Sequence, residues 1–338
     1  MMNKKGHFGM VLATTAILLS ACGNEDNHYY SIATASTGGT YYPIGVGMGN
    51  LWTEELIDQG IRATGQSSAG SVENIDLLRK EEAQFGILQG LIADQAYRGT
   101  GIYEGSAYED LRTVTMLWSN VEHFVLMNSK IESGTISDVE GTSFSIGPQA
   151  SGTEQSTRAL INGIGLSVDD VSPDYLGYDD TISSMRDGRL DGGSLPAGVP
   201  VTAITDMYAS GVRATVLDVT DEQLDSINAL YPVFFRYEID AGTYPRQEEP
   251  IYTIAQSNVL GVDKQQDADQ IYLLTKILFE NLETMYEVHN SAREMTLETA
   301  LVGVSVPLHL GAYHYFVEQG IDIPDELVPP EAEEGEQG

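Results

Sequence analysis

Apolar and polar positions along the chain switch repeatedly between a period of two and a period near 3.6, which predicts strands interleaved with helices. Residues 29–35 carry β-branched and aromatic side chains and read as a strand; the turn at residues 36–43 then feeds a helix through Leu51, Leu56 and Ile57. The unit recurs. Residues 61–66 form a short strand, residues 67–70 a turn, and Ser71 the N-cap of a helix with Val72, Ile75 and Leu78 on one face. A third unit has a strand at 144–147, a loop at 148–153 and a helix carrying Arg158, Leu160 and Ile161. Farther on, Ile271, Leu274, Ile277, Leu278 and Leu282 predict one long amphipathic helix to about His289, and Tyr313, Phe316 and Val317 a final one. Strands alternating with helices predict parallel α/β sheets whose binding edge is the set of loops at the C-terminal strand ends. Residues 78–90 and 185–197 echo one another as helix end, polar turn, small-residue strand and loop, which suggests two similar lobes.

The first 22 residues break this pattern. Lys4 and Lys5 precede a short apolar run at 10–19, and Leu19-Ser20-Ala21 precede Cys22, the one cysteine of the 338-residue chain. That arrangement reads as a lipoprotein signal, with cleavage before Cys22 and lipidation of its sulfur; the apolar run is too short to span a bilayer. The expected location is periplasmic or extracytoplasmic, with the chain anchored to the membrane through Cys22, where two acyl chains hold stably. A lipidated thiol leaves no disulfide, no cysteine metal site and no cysteine nucleophile.

Charge excludes another class of partner. The net charge of −33 leaves no basic stripe to neutralise phosphates, so nucleic acid is excluded as a partner. With 42% hydrophobic residues beside the acids, the chain folds rather than staying disordered, and its acidic surface suits a salt-rich setting. Its length fits two lobes. Catalytic signatures are missing: there is no HExxH, no GxSxG, no phosphate loop and no EF-hand loop. His28, His123, His289, His309 and His314 are scattered, and the pairs Asp169-Asp170 and Asp179-Asp180 read as solvated surface. No enzyme activity, metal or cofactor is expected. The hydroxyl- and glycine-rich loops before three helices are the best candidate chemistry, because helix N-termini offer free N–H groups and a dipole that favours an anion.

Those loops carry a family resemblance. Thr37-Gly38-Gly39-Thr40-Tyr41-Tyr42-Pro43, Gly70-Ser71-Val72-Glu73-Asn74, Ser151-Gly152-Thr153-Glu154, Asp187-Gly188-Arg189-Leu190-Asp191 and Val306-Pro307-Leu308-His309 resemble the TAXI family of solute receptors for tripartite ATP-independent periplasmic (TRAP) transporters, over about residues 29–320. The resemblance implies a type II periplasmic-binding-protein fold, two α/β lobes joined by crossing strands with a solute cleft between them. It implies a signal peptide at 1–22, a linker at 23–28, lobe one from 29–120 plus 240–322, lobe two from 121–239, and an acidic disordered tail at 323–338. The chain would cross near residues 118–123 and return near 234–240.

Function follows from the same resemblance. The chain would capture a small organic anion, a dicarboxylate, 2-oxoacid or glutamate-like solute, and deliver it to the TRAP permease membrane subunits, driven by an ion gradient. A ligand-sensing receptor for a membrane signalling protein, or an exported enzyme, are the alternatives. Carried across, the ligand-binding residues would be Thr37, Gly38, Gly39, Thr40, Tyr41, Ser71, Gln89, Ser151, Gly152, Thr153, Ala197, Gly198 and Pro200. Gly90-Leu91, Ala150 and Leu310 depart from the family pattern. Leu91 stands where an acid is common, which favours a carboxylate without an amine; an amino acid whose amine is held elsewhere is the alternative.

Overall fold

The computed structural model describes residues 28–335, so the signal segment, Cys22 and the linker to residue 27 lie outside the described residues. Two sheets organise the chain. The first holds β1 (His28–Ala33), β2 (Ile61–Gln66), β3 (Phe85–Gln89) and β4 (Leu111–Val121). The second holds β5 (Phe124–Met127), β6 (Ser143–Ser145), β7 (Ser172–Asp174), β8 (Gly192–Ser194) and β9 (Ala214–Val216); β10 (Phe235–Ile239) and β11 (Ile251–Asp263) then return to the first. Helices connect them: α1 (Tyr41–Leu56), α2 (Ser71–Arg79) and α3 (Gly90–Arg98) on the first sheet, then α4 (Gly152–Gly163), α5 (Tyr178–Arg186), α6 (Thr202–Ala209) and α7 (Asp221–Asn228) on the second. The chain closes with α8 (Ala268–Glu280), α9 (Leu282–Val288), α10 (Leu310–Glu318) and α11 (Pro330–Gly335).

The order β10-β11-β3-β1-β2, with β4 on β11, defines one sheet and β7-β6-β8-β5-β9 the other. The expected parallel pairing holds for β2-β1-β3 and for β7-β6-β8. The remainder is antiparallel, since β11 runs against β3, β4 and β10, and β5 against β8 and β9. These are the strands that carry the chain between sheets, and a return crossing must run backwards. β10, assigned from sequence to the second lobe, bonds to β11 of the first sheet from Phe235 to Ile239. The echo between 78–90 and 185–197 corresponds to a shared path: α2 leads into β3 and α5 into β8, each beside a crossing strand.

Close packing explains the glycines of α1. A β-carbon at Gly45 would stand 2.3 Å from the Thr34 methyl, and one at Gly65 of β2 2.6 Å from the Val46 nitrogen, so helix and strand touch backbone to backbone. Trp52, fully buried, packs on Phe85 and donates to the Leu274 carbonyl at 3.0 Å, tying α1 to α8. The second sheet has its own apolar clusters, one around Ile182, Ile204 and Tyr244 and one around Phe124, Phe144 and Leu160. Leu91, from α3 of the first lobe, is buried in the latter.

Three local expectations need correction. Ser71 is the first residue of α2 and Gly70 its N-cap, because Gly70 takes φ +120°, which excludes most side chains, while the Ser71 hydroxyl accepts from Gln89 N–H at 3.0 Å instead. The long helix to His289 is two helices, interrupted at Asn281, whose side chain bonds back to the Ile277 carbonyl and competes with the helix ladder. Residues 325–331, within the stretch 323–338 expected as a disordered acidic tail, pack on the first lobe. Leu327 is buried in its core, and Arg112, itself buried at the start of β4, pairs with Glu331 at 2.5 Å. The apolar Leu327 and one pairable acid outweigh the general acidity of the segment. Leu327→Ala should therefore destabilise the fold by about 2–4 kcal/mol, read from urea unfolding; an unchanged midpoint would mean that the segment contributes no packing.

Candidate functional site

The C-terminal ends of β1, β2, β3, β6 and β8 point toward one another, and the loops leaving them meet in a slot between the lobes. Ala35, Ser36, Gly39, Thr40, Tyr41, Ala69, Gly70, Ser71 and Gln89 wall it from the first lobe; Pro148, Gly152, Thr153, Tyr178 and Pro196 wall it from the second. The cavity volume is about 30 Å³. A single water needs roughly 10–15 Å³ on this scale, so the slot is narrow as it stands.

Direct bonds close it. The Thr40 hydroxyl accepts from Gly198 N–H at 3.1 Å and donates to the Gly198 carbonyl at 3.3 Å. Glu73 N–H donates to the Ala150 carbonyl at 3.1 Å, and Ser291 Oγ to the Val199 carbonyl at 3.1 Å. A β-carbon at Gly152 would fall 2.7 Å from Ser71 Oγ and 2.8 Å from the Gln89 amide, so glycine there lets the lobes touch.

Five helices begin at this slot. Tyr41, Ser71, Gly90, Gly152 and Tyr178 are the first residues of α1, α2, α3, α4 and α5, and each either lines the cavity or follows a residue that does. The first N–H groups of a helix have no partner inside it. At α2 the third is taken by Ala150 and at α4 by the Ser151 cap, which leaves those of Ser71, Gly152 and Thr153 facing the lobe junction. Every one of these dipoles presents its positive end, and no Lys or Arg is among the lining residues.

Tyrosines and amides form the floor. Tyr41 donates to Asn258 Oδ1 at 2.5 Å and stands edge-on to Trp118 with ring centres 5.5 Å apart. Tyr178 donates to the Pro196 carbonyl at 2.6 Å and accepts from the Thr153 hydroxyl at 3.0 Å. Burial pushes both phenols well above their ordinary value, so both stay neutral. Beneath them Gln89 faces Asn258, Asn258 faces Trp118 and Gln256 faces Asn120 across neighbouring strands, and directly opposed residues share one sheet face. Among the described residues, Gln89 Oε1, Trp118 Nε1, both amide atoms of Asn120, Glu122 Oε2 and Asn258 Nδ2 are buried without a hydrogen-bond partner. So dense a run of unpaired polar atoms is unusual in a folded interior.

At the edge of this floor His123 is fully buried, and burial pushes its pKa down to about 4. Its Nδ1 lies 2.9 Å from the Val121 carbonyl and its Nε2 2.8 Å from the Tyr244 hydroxyl, which also accepts from Val201 N–H. A neutral ring donating from Nδ1 and accepting at Nε2 satisfies all three contacts.

The residues named from sequence divide into two groups. Gly39, Thr40, Tyr41, Ser71, Gln89, Gly152 and Thr153 line the slot. Thr37 is exposed, and Gly38 is held against Asp179, whose carboxylate oxygens would be 2.6 and 2.7 Å from a β-carbon there. Ser151 is turned away, capping α4 and donating to the Pro148 carbonyl. Ala197 is bridged to Val121, Gly198 bonds to Thr40, and Pro200 lies in a separate groove with His289 and Arg293. Tyr178, Pro148, Pro196, Ala35 and Ala69 complete the wall and were not assigned from sequence. Tyr178 had a readable signal, since an aromatic residue opens a helix after glycine there much as Tyr41 does after Gly39 and Thr40.

Two α/β lobes on crossing strands, meeting over a slot at the strand ends, define a periplasmic-binding-protein fold of type II. Residues 32–320 match the NMT1-like family, and the chain belongs to that family. Among solved structures, a Bordetella bronchiseptica RB50 protein shares 13% identity at a TM-score of 0.51, covering 90% of this chain and 85% of the other. The periplasmic aliphatic sulphonate binding protein SsuA of Escherichia coli shares 14% identity at 0.43, over 86% and 82% of the two chains. An amino acid ABC transporter substrate-binding protein of Streptococcus pneumoniae, bound to L-arginine, shares 10% at 0.46, over 79% and 92%.

The Gly152 contact yields a direct prediction. Gly152→Ala should hold the lobes apart, enlarging the radius of gyration in small-angle scattering while leaving the thermal midpoint within a few degrees, since the added methyl meets side chains of the opposite lobe rather than its own core. An unchanged radius would show that the seam tolerates the methyl.

Proposed function

We propose that this chain is an extracytoplasmic solute receptor that captures a small organic anion by closing its two lobes, and that it passes the anion to the membrane subunits of a TRAP permease. The convergence of five helix N-termini on one slot, with no basic side chain in its wall, is the observation that carries the reading. A carboxylate there would take charge-assisted bonds from the N–H groups of Ser71, Gly152 and Thr153 and from nearby hydroxyls, each worth about 1.5–3 kcal/mol, with a further 0.3–1 kcal/mol or so from each well-aligned dipole. Three such bonds with the dipoles of α2 and α4 give roughly 5–11 kcal/mol gross, against about 8 kcal/mol net for micromolar binding, so hydroxyl contacts and a second polar or apolar contact must offset desolvation and ordering. A solute of several heavy atoms binds with the lobes slightly farther apart than the present narrow slot. Gly39, Thr40, Tyr41, Ser71, Gln89, Gly152, Thr153 and Tyr178 are its contacts in this reading, while Thr37, Gly38, Ser151, Ala197 and Gly198 shape or latch the loops.

TRAP delivery rests on the TAXI-like motifs of the sequence, and attachment to the membrane on Cys22. Among the described residues no helix is long and apolar enough to cross a membrane. In this reading the lipid at Cys22 raises the effective concentration of receptor beside its permease.

Native mass spectrometry of the purified chain should reveal a co-purifying acid of low mass. Gln89→Leu should then weaken binding of that acid about tenfold or more by calorimetry, with no loss of thermal stability, because it removes a buried acceptor that has no protein partner. Equal affinity in the variant would remove Gln89 from the site. Cys22→Ala should release the protein from membranes on fractionation and leave solute affinity intact; retention in the membrane fraction would exclude the lipid anchor.

A further inference from the structure

Glu122 sits where β4 ends and the chain enters the second lobe, and it is fully buried. Its backbone is fixed on both sides, N–H donating to the Ile254 carbonyl and carbonyl accepting from the Thr253 hydroxyl. Its carboxylate is poorly served. Oε1 takes a long 3.5 Å bond from the Gln256 amide, the Ser156 hydroxyl of α4 gives some support, and Oε2 has no partner among the described residues. No ion pair of the described residues includes it. An isolated carboxylate in such a place costs several kcal/mol or more, and a carboxyl group meets that cost by keeping its proton.

Both lobes make this burial. Gln256 of crossing strand β11 reaches Glu122 with its amide nitrogen and receives Leu91 N–H of α3 on its amide oxygen at 3.0 Å, while Ser156 comes from α4. Leu91 of the first lobe is packed in one cluster with Leu160 and Phe124 of the second, so the lobes meet beside Gln256, which bonds to both Leu91 and Glu122. The charge of Glu122 would also be felt by Tyr41 and Tyr178, one from each wall of the slot.

We propose that Glu122 is a proton-binding site filled by lobe closure: the open cleft leaves it hydrated and ionised, and closing over a solute adds one solvent proton to Oε2. The inference rests on the reading of the slot as a solute cleft. Burial in the closed form pushes the Glu122 pKa up to about 8. The groups facing it carry no charge of their own near neutrality: Tyr41 of α1 and Tyr178 of α5 are neutral phenols, His123 of β4's end is neutral above about 4, and Gln256, Ser156 and Asn120 do not titrate. The sign follows. A carboxyl group with a raised closed-state value favours closure fully at low pH; the advantage declines once pH passes the ordinary carboxylate value and is lost by about pH 8, so affinity falls by up to tenfold per pH unit between.

Infrared difference spectra between the Cys22→Ser chain and the same chain with Glu122→Gln, from about pH 5 to about pH 9, read the proton directly. The lobes can be held shut by adding Gly70→Cys and Ser151→Cys, since a β-carbon at Gly70 would stand 3.6 Å from that of Ser151, within disulfide range. The expected result is the carbonyl band of a protonated carboxylic acid at neutral pH in the oxidised pair, lost in Glu122→Gln and titrating at lower pH once the pair is reduced. A band titrating in the ordinary carboxylate range in the oxidised pair overturns the proposal.

Gly70 has a backbone that resists side chains, so a second measurement guards against a misfolded pair. Calorimetry with 2-oxoglutarate and with L-glutamate, in two buffers of different ionisation enthalpy near pH 7, should show about one proton taken up per solute bound, and none in Glu122→Gln. Proton release on binding, with affinity lost in Glu122→Gln, would make Glu122 a receptor for a cationic group on the solute and overturn the proposal. If neither solute binds, the solute class proposed above fails while the infrared result still decides the proton site.

Discussion

The antiparallel ladder between β4 and β11 joins the lobes and sets the conditions under which they can meet. Its pairs run from Asp263 with Leu111 to Ala255 with Val121, and bulges near Asn258 and Leu260 let it twist as it passes from one lobe to the other. An ordinary buried strand pair would be apolar throughout. Here the stretch nearest the slot carries Trp118, Asn120, Gln256, Asn258 and Glu122, while the distal stretch carries Leu260, Val262 and Val114. The ladder therefore combines a distal half whose Val114, Leu260 and Val262 join the first lobe's core with a near half crowded with buried polar groups, several of them without a partner among the described residues. Tyr41 and Ser71 on one side, and Tyr178 and Ser156 on the other, are placed near that polar half by the helices they open or belong to, and Gln89 by its pairing with Asn258.

Much of this was legible in the sequence, for identifiable reasons. Strand 61–66 coincides with β2 because its ends are marked by Gly60, in the left-handed region, and by the polar turn before Ser71. The loops at Gly39–Tyr41 and Gly152–Thr153 could be read because glycine and hydroxyl residues before a helix have a local meaning. Asn120, Asn258, Trp118 and Glu122 could not be read in that way. Trp118 and Asn120 lie in β4, Glu122 just past its end and Asn258 far along the chain in β11, and they gain their significance only when β11 returns to pair with β4. Ala197 and Pro200 belong to the same loop as Gly198, but neither lines the slot: Ala197 is bridged to Val121 and Pro200 lines a separate groove with His289 and Arg293. The packed segment at 325–331 was hidden by its own acidity, since composition registers its three acids more strongly than one Leu327 with a place to go.

The balance of global and local charge is the other constraint. A chain with net charge −33 repels anions at long range, yet the slot is walled by the positive ends of helices. Screening confines the surface charges to about 8 Å at physiological salt, whereas N–H groups inside a closed cleft act at bonding distance in a medium of lower dielectric. High salt therefore removes the unfavourable field and spares the favourable one.

The five convergent helix starts have a further consequence when no solute is present. Each carries roughly half a positive charge, and bringing them together without an anion sets like charges against like. Under the proposed function, an empty cleft would close against its own electrostatics and one holding an anion would close with them. An anion bound there would, in that reading, act as mortar between the lobes as well as cargo, and a partner that reads the closed shape would seldom mistake an empty chain for a loaded one.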